Sequence, residues 1–493
     1  MRLSGILMPI FSLSSAYGIG SFGKEAYRFV DFLKKAGQTY WQILPLNPTN
    51  CGNSPYQSFS SAAGNPYFID LDILKEDGLI SEDDLKGFFF GENPEKVDYE
   101  AVGESRKILL KKAYNNFSDK DGGFAIFKKA EKEWLLPYSL FMSLKDLYGG
   151  ADFKDWPHEI KFKDENAIDE KKEELKEEIE YYSFQQFLFY SQWASLKKYA
   201  NENGVKIIGD MPIYVAEDSA DVWYFPENFQ LDKNLYPKSV AGCPPDAFSE
   251  EGQRWGMPLY DWGYMQKEEN PYSFWVKRLK NAFSLYDVVR IDHFRGFESY
   301  YSIPASSPDA KKGSWKKGPG MKLFKELKKH FDTLPIIAED LGFLTPAVKK
   351  LLKDSGFPGM KVLQFAFSGE GESDYLPHNI GKNSVVYTGT HDNDTILGWE
   401  KSASKAEVEY AKKYMNSKDP IHWAMMKTAF SSVADTAILM MPDIIGLGSE
   451  GRINTPSTLT GNWEWRIKGE CINDWLASVL LEITEIYGRI AKK

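Results

Sequence analysis

Short apolar runs rich in Ile, Val and Leu recur along the chain, and many end on a polar or charged residue. They cover 4–12 (SGILMPIFS), 40–47 (YWQILPLN), 205–215 (VKIIGDMPIYV), 287–294 (DVVRIDHF), 335–342 (PIIAEDLG), 360–367 (MKVLQFAF), 384–392 (SVVYTGTHD) and 436–445 (TAILMMPDII). Between most of them lie stretches of helical period, among them GKEAYRFVDFLKKAG, PYSFWVKRLKNAFSLY, GMKLFKELKKHF and TPAVKKLLKDSG, and INDWLASVLLEITEIYGRIA follows the last. Strand alternating with helix predicts parallel pairing. Eight strands are the number that closes a (β/α)₈ TIM barrel, an α/β fold whose active site lies at the C-terminal ends of the strands.

The spacing is uneven. The gaps after the second and third runs far exceed ordinary connections, which predicts two insertions. The first, roughly 70–183, holds charged helical stretches such as EDDLKGFFF and EKKEELKEEIEYY and reads as a helical subdomain docked on the barrel. The second, roughly 216–271, reads as loops over the substrate cleft. No Pro/Ser-rich linker marks an independent module, so residues 1–493 are expected to form a single catalytic barrel.

Composition narrows the class. Hydrophobic residues at 43% and charged residues at 26% are enough to bury a large core, which excludes a disordered chain. A net charge of −10 argues against a nucleic-acid backbone or an anionic membrane as partner. Cys51, Cys243 and Cys471 lie far apart without a CxxC pair, which points to a reducing cytoplasm rather than a disulfide framework or zinc cluster. The apolar start MRLSGILMPI is too short for a span and contains Pro9. Fourteen tryptophans supply flat faces that suit either a large core or a sugar-binding cleft, and composition alone does not choose.

Two motifs invite a test. GIGSFG at 18–23 has the G-x-G-x-x-G spacing of a dinucleotide loop, but the second apolar run ends Leu-Pro-Leu-Asn without the carboxylate that should hold the ribose. It reads as a tight strand-to-helix turn. DKDGG at 119–123 lacks the closing glutamate of a calcium loop and reads as a surface turn. Six histidines without H-x-H or H-x-x-x-H spacing give a metal-hydrolase reading little support, although His293 and the pair His391 and Asp392 are possible ligands. No cofactor or metal is expected.

The informative positions are the carboxylates that end strands: Asp292, Glu339 and Asp392, on the fourth, fifth and seventh runs. A buried charge is costly unless it is paired, so three of them at one barrel mouth point to catalysis. Two opposed carboxyl groups suit glycoside cleavage, one attacking the anomeric carbon while its protonated partner serves the leaving oxygen. Arg290 and Asp292 share a face of an extended strand, so Arg290 should lower the Asp292 pKa and keep a nucleophile ionised. Glu339, on a more apolar strand, should hold its proton longer and act as acid, then base. Asp392 would bond sugar hydroxyls and favour the distorted, oxocarbenium-like ring. His293, of opposite parity to Asp292, reads as structural.

The motifs SPYQSFSSAAGNPYFIDL, GDMPIYVAEDSADVW, AGCPPDAFSEEGQRWGMPLYDW, VRIDHFRGF, IIAEDLGFLTPAV, YTGTHDNDT and GRINTPSTLTGNWEWR, in this order, resemble those of the 4-α-glucanotransferases of glycoside hydrolase family 77, within the α-amylase clan. The resemblance implies a (β/α)₈ barrel with insertions and without a C-terminal β-domain. It implies the same roles for Asp292, Glu339 and Asp392. It adds Arg290 and His391 as contacts at the cleavage point, Tyr56, Asp246, Gln253 and Trp255 as lining of the glucan groove, and Asp210 as a partner of nearby sugar or loop groups. The segments 243–257 and 448–465 resemble loops that arch over the cleft.

Transfer and hydrolysis share a covalent glucosyl-enzyme and differ in the attacker. Water at about 55 M loses only to an oriented acceptor, which can reach effective molarities of about 10⁵ M. The stretch QRWGMP at 253–258 has the composition of an acceptor shelf, but the preference for transfer rests on the resemblance. The expected partners are α-1,4-glucans and maltooligosaccharides, with no nucleic acid and no membrane, and the chain is expected to be a monomer or homodimer.

Overall fold

The computed structural model describes residues 2–245, 250–342, 344–369 and 373–491. Its strands are β1 (Leu3–Leu7), β2 (Tyr40–Gln42), β3 (Lys206–Met211), β4 (Ser239–Cys243), β5 (Gln253–Pro258), β6 (Val288–Ile291), β7 (Ser299–Pro304), β8 (Ser314–Lys317), β9 (Ile336–Ala338), β10 (Gly359–Val362), β11 (Ser384–Tyr387) and β12 (Thr436–Met440). Eight of these close a barrel in the order β1, β2, β3, β6, β9, β10, β11, β12, with β12 returning to β1. Every pairing in it is parallel. Each of the eight predicted runs supplies one barrel strand. Their near-continuous apolar character follows from burial on both faces, by side chains inside the barrel and by helices outside.

Helices such as Lys24–Lys35, Ser273–Leu285, Met321–His330, Pro346–Ser355 and Asp474–Ile486 alternate with the strands. Between β2 and β3 the chain forms a group of helices, the longest being Tyr99–Asn116, Lys132–Leu147 and Lys176–Glu202, and the last of these leads directly into β3. One buried apolar cluster contains barrel residues such as Ile6, Val289, Val386 and Ile438 together with Leu109, Phe141 and Phe184 from those helices.

A second sheet was not predicted. β4 and β5 pair with β7 and β8 in the antiparallel order β5-β4-β7-β8, so residues read as cleft loops form half of a sheet completed by a hairpin after β6. The hairpin escapes a pattern reading because β8, Ser-Trp-Lys-Lys, is exposed along its whole length and shows no apolar alternation. Lysines on a free edge strand also discourage pairing with another chain.

The GIGSFG turn is packed shut. A Cβ on Gly20 would lie 1.9 Å from the Ile10 carbonyl oxygen, and one on Gly23 would lie 2.0 Å from Asp70 Oδ2. That Asp70 carboxylate accepts from Ser21 Oγ at 2.6 Å and lies against the N-terminus of helix Lys24–Lys35, where a dinucleotide phosphate would have to bind. In the DKDGG turn, Asp119 accepts from the backbone amides of Phe124 and Ala125 and so starts helix Gly123–Ala130. Among the described residues no helix is long and apolar enough to cross a membrane.

Candidate active site

Strand register brings the first charges together. Asp210 on β3 and Arg290 on β6 are direct partners in the parallel ladder. Arg290 Nη1 donates to both Asp210 oxygens at 2.8 and 2.7 Å and lies 3.1 Å from Asp292 Oδ1. The Asp210 and Arg290 side chains are almost wholly buried, at 0% and 3% exposure, while Asp292 keeps 32% toward the cleft. β6 ends at Ile291, so Asp292 is the first residue beyond the strand, held by its amide donating to the Met211 carbonyl at 3.0 Å.

The chain then turns sharply. His293 takes the left-handed conformation at φ 50°, and its amide donates to Glu339 Oε2 at 2.7 Å. The Leu341 amide donates to Oε1, also at 2.7 Å. Two backbone donors thus fix both oxygens of Glu339, which directly follows β9. The His293 ring meets Trp255 edge to face, with centroids 4.8 Å apart, and burial beside the Arg295 cation pushes it down to about 3, so it is neutral. It therefore connects Asp292 and Glu339 with the shelf on β5. There Trp255 Nε1 donates to Gln253 Oε1 at 3.0 Å.

The opposite wall comes from the loop after β2 and from β11. Ser61 anchors that loop through its amide and hydroxyl, both donating to buried Asp221. Tyr56 in the same loop donates its hydroxyl to Asp210 Oδ2 at 2.8 Å, and His391 Nε2 lies 2.9 Å from the Tyr56 hydroxyl oxygen. The single phenolic proton is committed to Asp210, so the bond to His391 requires a proton on Nε2. Burial, then the Asp210 charge, holds the Tyr56 phenol well above its usual range, so it stays a donor. Tyr56 and His391 stack at 5.2 Å, and Trp463 lies 5.8 and 6.0 Å from the two rings. Asp392, 47% exposed, accepts from Asn454 Nδ2 at 2.6 Å, while Arg452 donates to its backbone carbonyl at 3.0 Å.

Electrostatics departs from the simple sequence argument. Burial raises the Asp292 pKa more than Arg290 lowers it, with Asp210 and Asp392 adding to the rise, so the net direction is upward. Glu339 is also raised, first by burial and then by the Asp292 charge, against the pull of Arg290 and its two amide donors. The cation next to Asp292 acts with the expected sign, but desolvation outweighs it.

Asp292, Glu339, Asp392, Arg290, Asp210, Tyr56 and His391 thus line one mouth of the barrel, with Gln253 and Trp255 joined to it through His293. Asp246 lies outside the described residues. Asn454, Arg452 and Trp463 were not singled out, although 448–465 was read as an arching segment; Leu341 acts through its amide and carries no side-chain signal. Among the described residues no three His, Cys, Asp or Glu side chains are grouped to hold a metal ion.

Comparison with known proteins identifies the family. Residues 8–472 match the family model described as 4-alpha-glucanotransferase, glycoside hydrolase family 77. A 4-alpha-glucanotransferase of Clostridium butyricum is 51% identical over 98% of this chain and 100% of its own length. One from Thermus thermophilus is 47% identical over 94% and 95%. The amylomaltase of Streptococcus agalactiae, solved with acarbose, superposes with a TM-score of 0.97 at 42% identity, covering 100% of both chains. An amylomaltase from Corynebacterium glutamicum shares the fold at a TM-score of 0.78 and 17% identity, over 99% of this chain and 74% of its own. By its sequence over nearly its whole length and by its fold, the chain belongs to the 4-α-glucanotransferases of glycoside hydrolase family 77.

Proposed function

We propose that the chain transfers α-1,4-glucan segments by a retaining double displacement with Asp292 as nucleophile, Glu339 as acid and base, and Asp392 as stabiliser of the oxocarbenium-like transition state. In the first step an Asp292 oxygen bonds to the anomeric carbon as the glycosidic bond breaks, and the Glu339 proton passes to the leaving 4-oxygen. In the second, the 4-hydroxyl of a glucan or glucose gives its proton to Glu339 and attacks the anomeric carbon, releasing Asp292. Arg290, Tyr56 and His391 surround the ring at the cleavage point, Asp210 behind them accepts from Arg290 and Tyr56 and holds both in place, and Trp255 with Gln253 forms the acceptor shelf.

One observation carries this reading: two partly buried carboxyl groups at the ends of neighbouring strands, Asp292 held 3.1 Å from Arg290 and Glu339 held by two backbone amides, each raised by desolvation, with the Asp292 charge lifting Glu339 further. Such a pair favours one proton over two or none, and the Arg290 guanidinium 3.1 Å from Asp292 favours the charge there and the proton on Glu339. The substrates are maltooligosaccharides and starch- or glycogen-type glucans, in keeping with the acarbose bound to the S. agalactiae amylomaltase. The continuous core of barrel and helices supports a single catalytic domain with insertions at roughly 70–183 and 216–271, and three widely spaced cysteines without a CxxC pair accord with a cytoplasmic enzyme.

Maltotriose provides the test. Disproportionation yields glucose and a ladder of longer α-1,4-linked maltooligosaccharides. Only shorter sugars would indicate hydrolysis, and binding without any product would indicate a glucan-binding module; either result overturns the reading.

A further inference from the structure

Beneath the loop that carries His391 and Asp392 lies a carboxylate with no part in the chemistry above. Asp443 follows β12 in the short helix Met441–Ile444, is 1% exposed, and has no cation within 4 Å among the described ion pairs. Its Oδ2 accepts from Thr388 Oγ1 at 2.9 Å, and its Oδ1 accepts from the Ile396 amide at 2.7 Å. Thr388 is the first residue after β11, and Ile396 is the first residue of helix Ile396–Ser402. One buried side chain therefore bonds both ends of the segment 388–396.

The rest of the segment is held in the same manner. Thr390 donates through its amide and hydroxyl to Asn393 Oδ1, both at 2.9 Å. Gln364, beyond β10, donates to the Asp394 carbonyl at 2.8 Å from the barrel side. From the cleft side the Asn454 amide donates to the His391 carbonyl at 3.0 Å. Asp392 itself is 47% exposed, and its carboxylate meets Asn454 Nδ2 at 2.6 Å and His391 Nε2 at 3.4 Å, so its aim toward the cleft depends also on the backbone beneath. An uncompensated buried acid is a costly way to pin a loop unless the placement matters.

We propose that Asp443 is a positioning residue for His391 and Asp392, tying the first and last residues of their loop to β12 so that both side chains meet the sugar ring in transition-state geometry. The proposal rests on the role assigned above to Asp392. It acts on the transition state more than on ground-state binding, so its loss should appear in kcat. Asparagine can reproduce both bonds, its oxygen accepting from Ile396 and its amide donating to Thr388 Oγ1; alanine reproduces neither.

The test is steady-state disproportionation of maltotriose by Asp443→Ala, Asp443→Asn, Asp392→Asn and the combination of Asp443→Ala with Asp392→Asn, each checked for folding by thermal unfolding. Asp443→Ala should lose about 10- to 100-fold in kcat with KM within about 3-fold, and Asp443→Asn should stay within about 3-fold of the parent. The combined variant should be little worse than Asp392→Asn alone, because the two act through one group. A folded Asp443→Ala enzyme with the parent kcat, no rescue by asparagine, or losses that multiply in the combined variant would overturn the proposal alone. A near-parent rate for Asp392→Asn would sink the role of Asp392 and this proposal with it. Should Asp443→Ala fail to fold, Thr388→Val removes one of the two tethers at nearly constant volume and takes its place in the same cycle.

Discussion

Asp210→Asn should move the acid limb of the pH profile toward lower pH, although it removes a buried partner from the site. Asp210 and Asp292 both bond to Arg290 Nη1, at 2.7 and 3.1 Å. Those oxygens can be no more than about 6 Å apart, where two unit charges at an effective dielectric of about 20 repel by about 3 kcal/mol, or about 2 pH units. Asp292 keeps 32% of its side chain open to solvent, which screens the repulsion and trims the expected shift to about 1 unit. Removing the Asp210 charge both ends this repulsion and leaves Arg290 to Asp292 alone, so the two effects share a sign. kcat/KM reports the free enzyme, whose acid limb is the ionisation of Asp292. The measurement is kcat/KM for maltotriose against pH, parent beside variant. The acid limb should move down by about 1 unit, the alkaline limb of Glu339 should move less, and the maximum should fall by about 10-fold as Tyr56 loses its anionic acceptor. An acid limb that stays in place or moves up would refute either the assignment of that limb to Asp292 or the sharing of Arg290 between the two carboxylates.

Asp292→Asn should remove transfer by about three or more orders of magnitude while maltodextrin affinity, read by calorimetry, changes little; full activity would refute the nucleophile. Glu339→Gln should form the glucosyl adduct from a donor with a good leaving group and then retain it, and mass spectrometry showing no adduct would count against the acid and base role. Trp255→Ala should raise the acceptor KM and shift product from longer glucans toward hydrolysis, whereas an unchanged ratio would remove Trp255 from the acceptor shelf. Burial pushes Asp443 up to about 7, while in the unfolded chain it titrates near about 4. Between those values the folded chain keeps a proton that the unfolded chain has lost, so stability falls as pH rises through that window, by at most about 4 kcal/mol. Asp443→Asn should flatten that slope and gain melting temperature relative to the parent at pH 8 more than at pH 4; parallel curves would contradict the buried titration.

What the sequence disclosed follows from the periodicities that folding imposes. A strand covered on both faces has to be apolar along its length, so all eight barrel strands stood out, and a charge at the end of such a run, as at Asp292, Glu339 and Asp392, could only lie at the barrel mouth. β8 left no such trace, because an exposed edge strand has no buried face to constrain its composition. Parity served Arg290 and Asp292 less well than the outcome suggests. The argument assumed that the strand continued through both, yet β6 stops at Ile291, and the 3.1 Å contact arises from the turn that follows. The same turn made His293 more than scaffold: its left-handed backbone aims an amide at Glu339, and a residue's amide has no letter in the sequence.

Electrostatics shows the deeper limit. The sign of each neighbour's influence on Asp292 could be read from charge and spacing, but whether Arg290 or burial prevails depends on how much solvent the fold removes, and that is set by loops distant in sequence. Tyr56 and Trp463 enclose His391 from segments on either side of the barrel strands, and Asn454 reaches Asp392 from the arching segment after β12. Those segments close part of the barrel mouth around His391 and Asp392, beside the pair Asp292 and Glu339 whose carboxyls desolvation raises above their ordinary range. Chemistry in this fold is therefore specified twice, by carboxylates that strand pattern makes visible and by enclosing loops whose sequence shows composition without geometry. A variant that opens the enclosure without touching a carboxylate, such as Trp463→Ala, should move both limbs of the pH profile down toward ordinary carboxylate values; limbs left in place would mean that the loops bind glucan without tuning the acids.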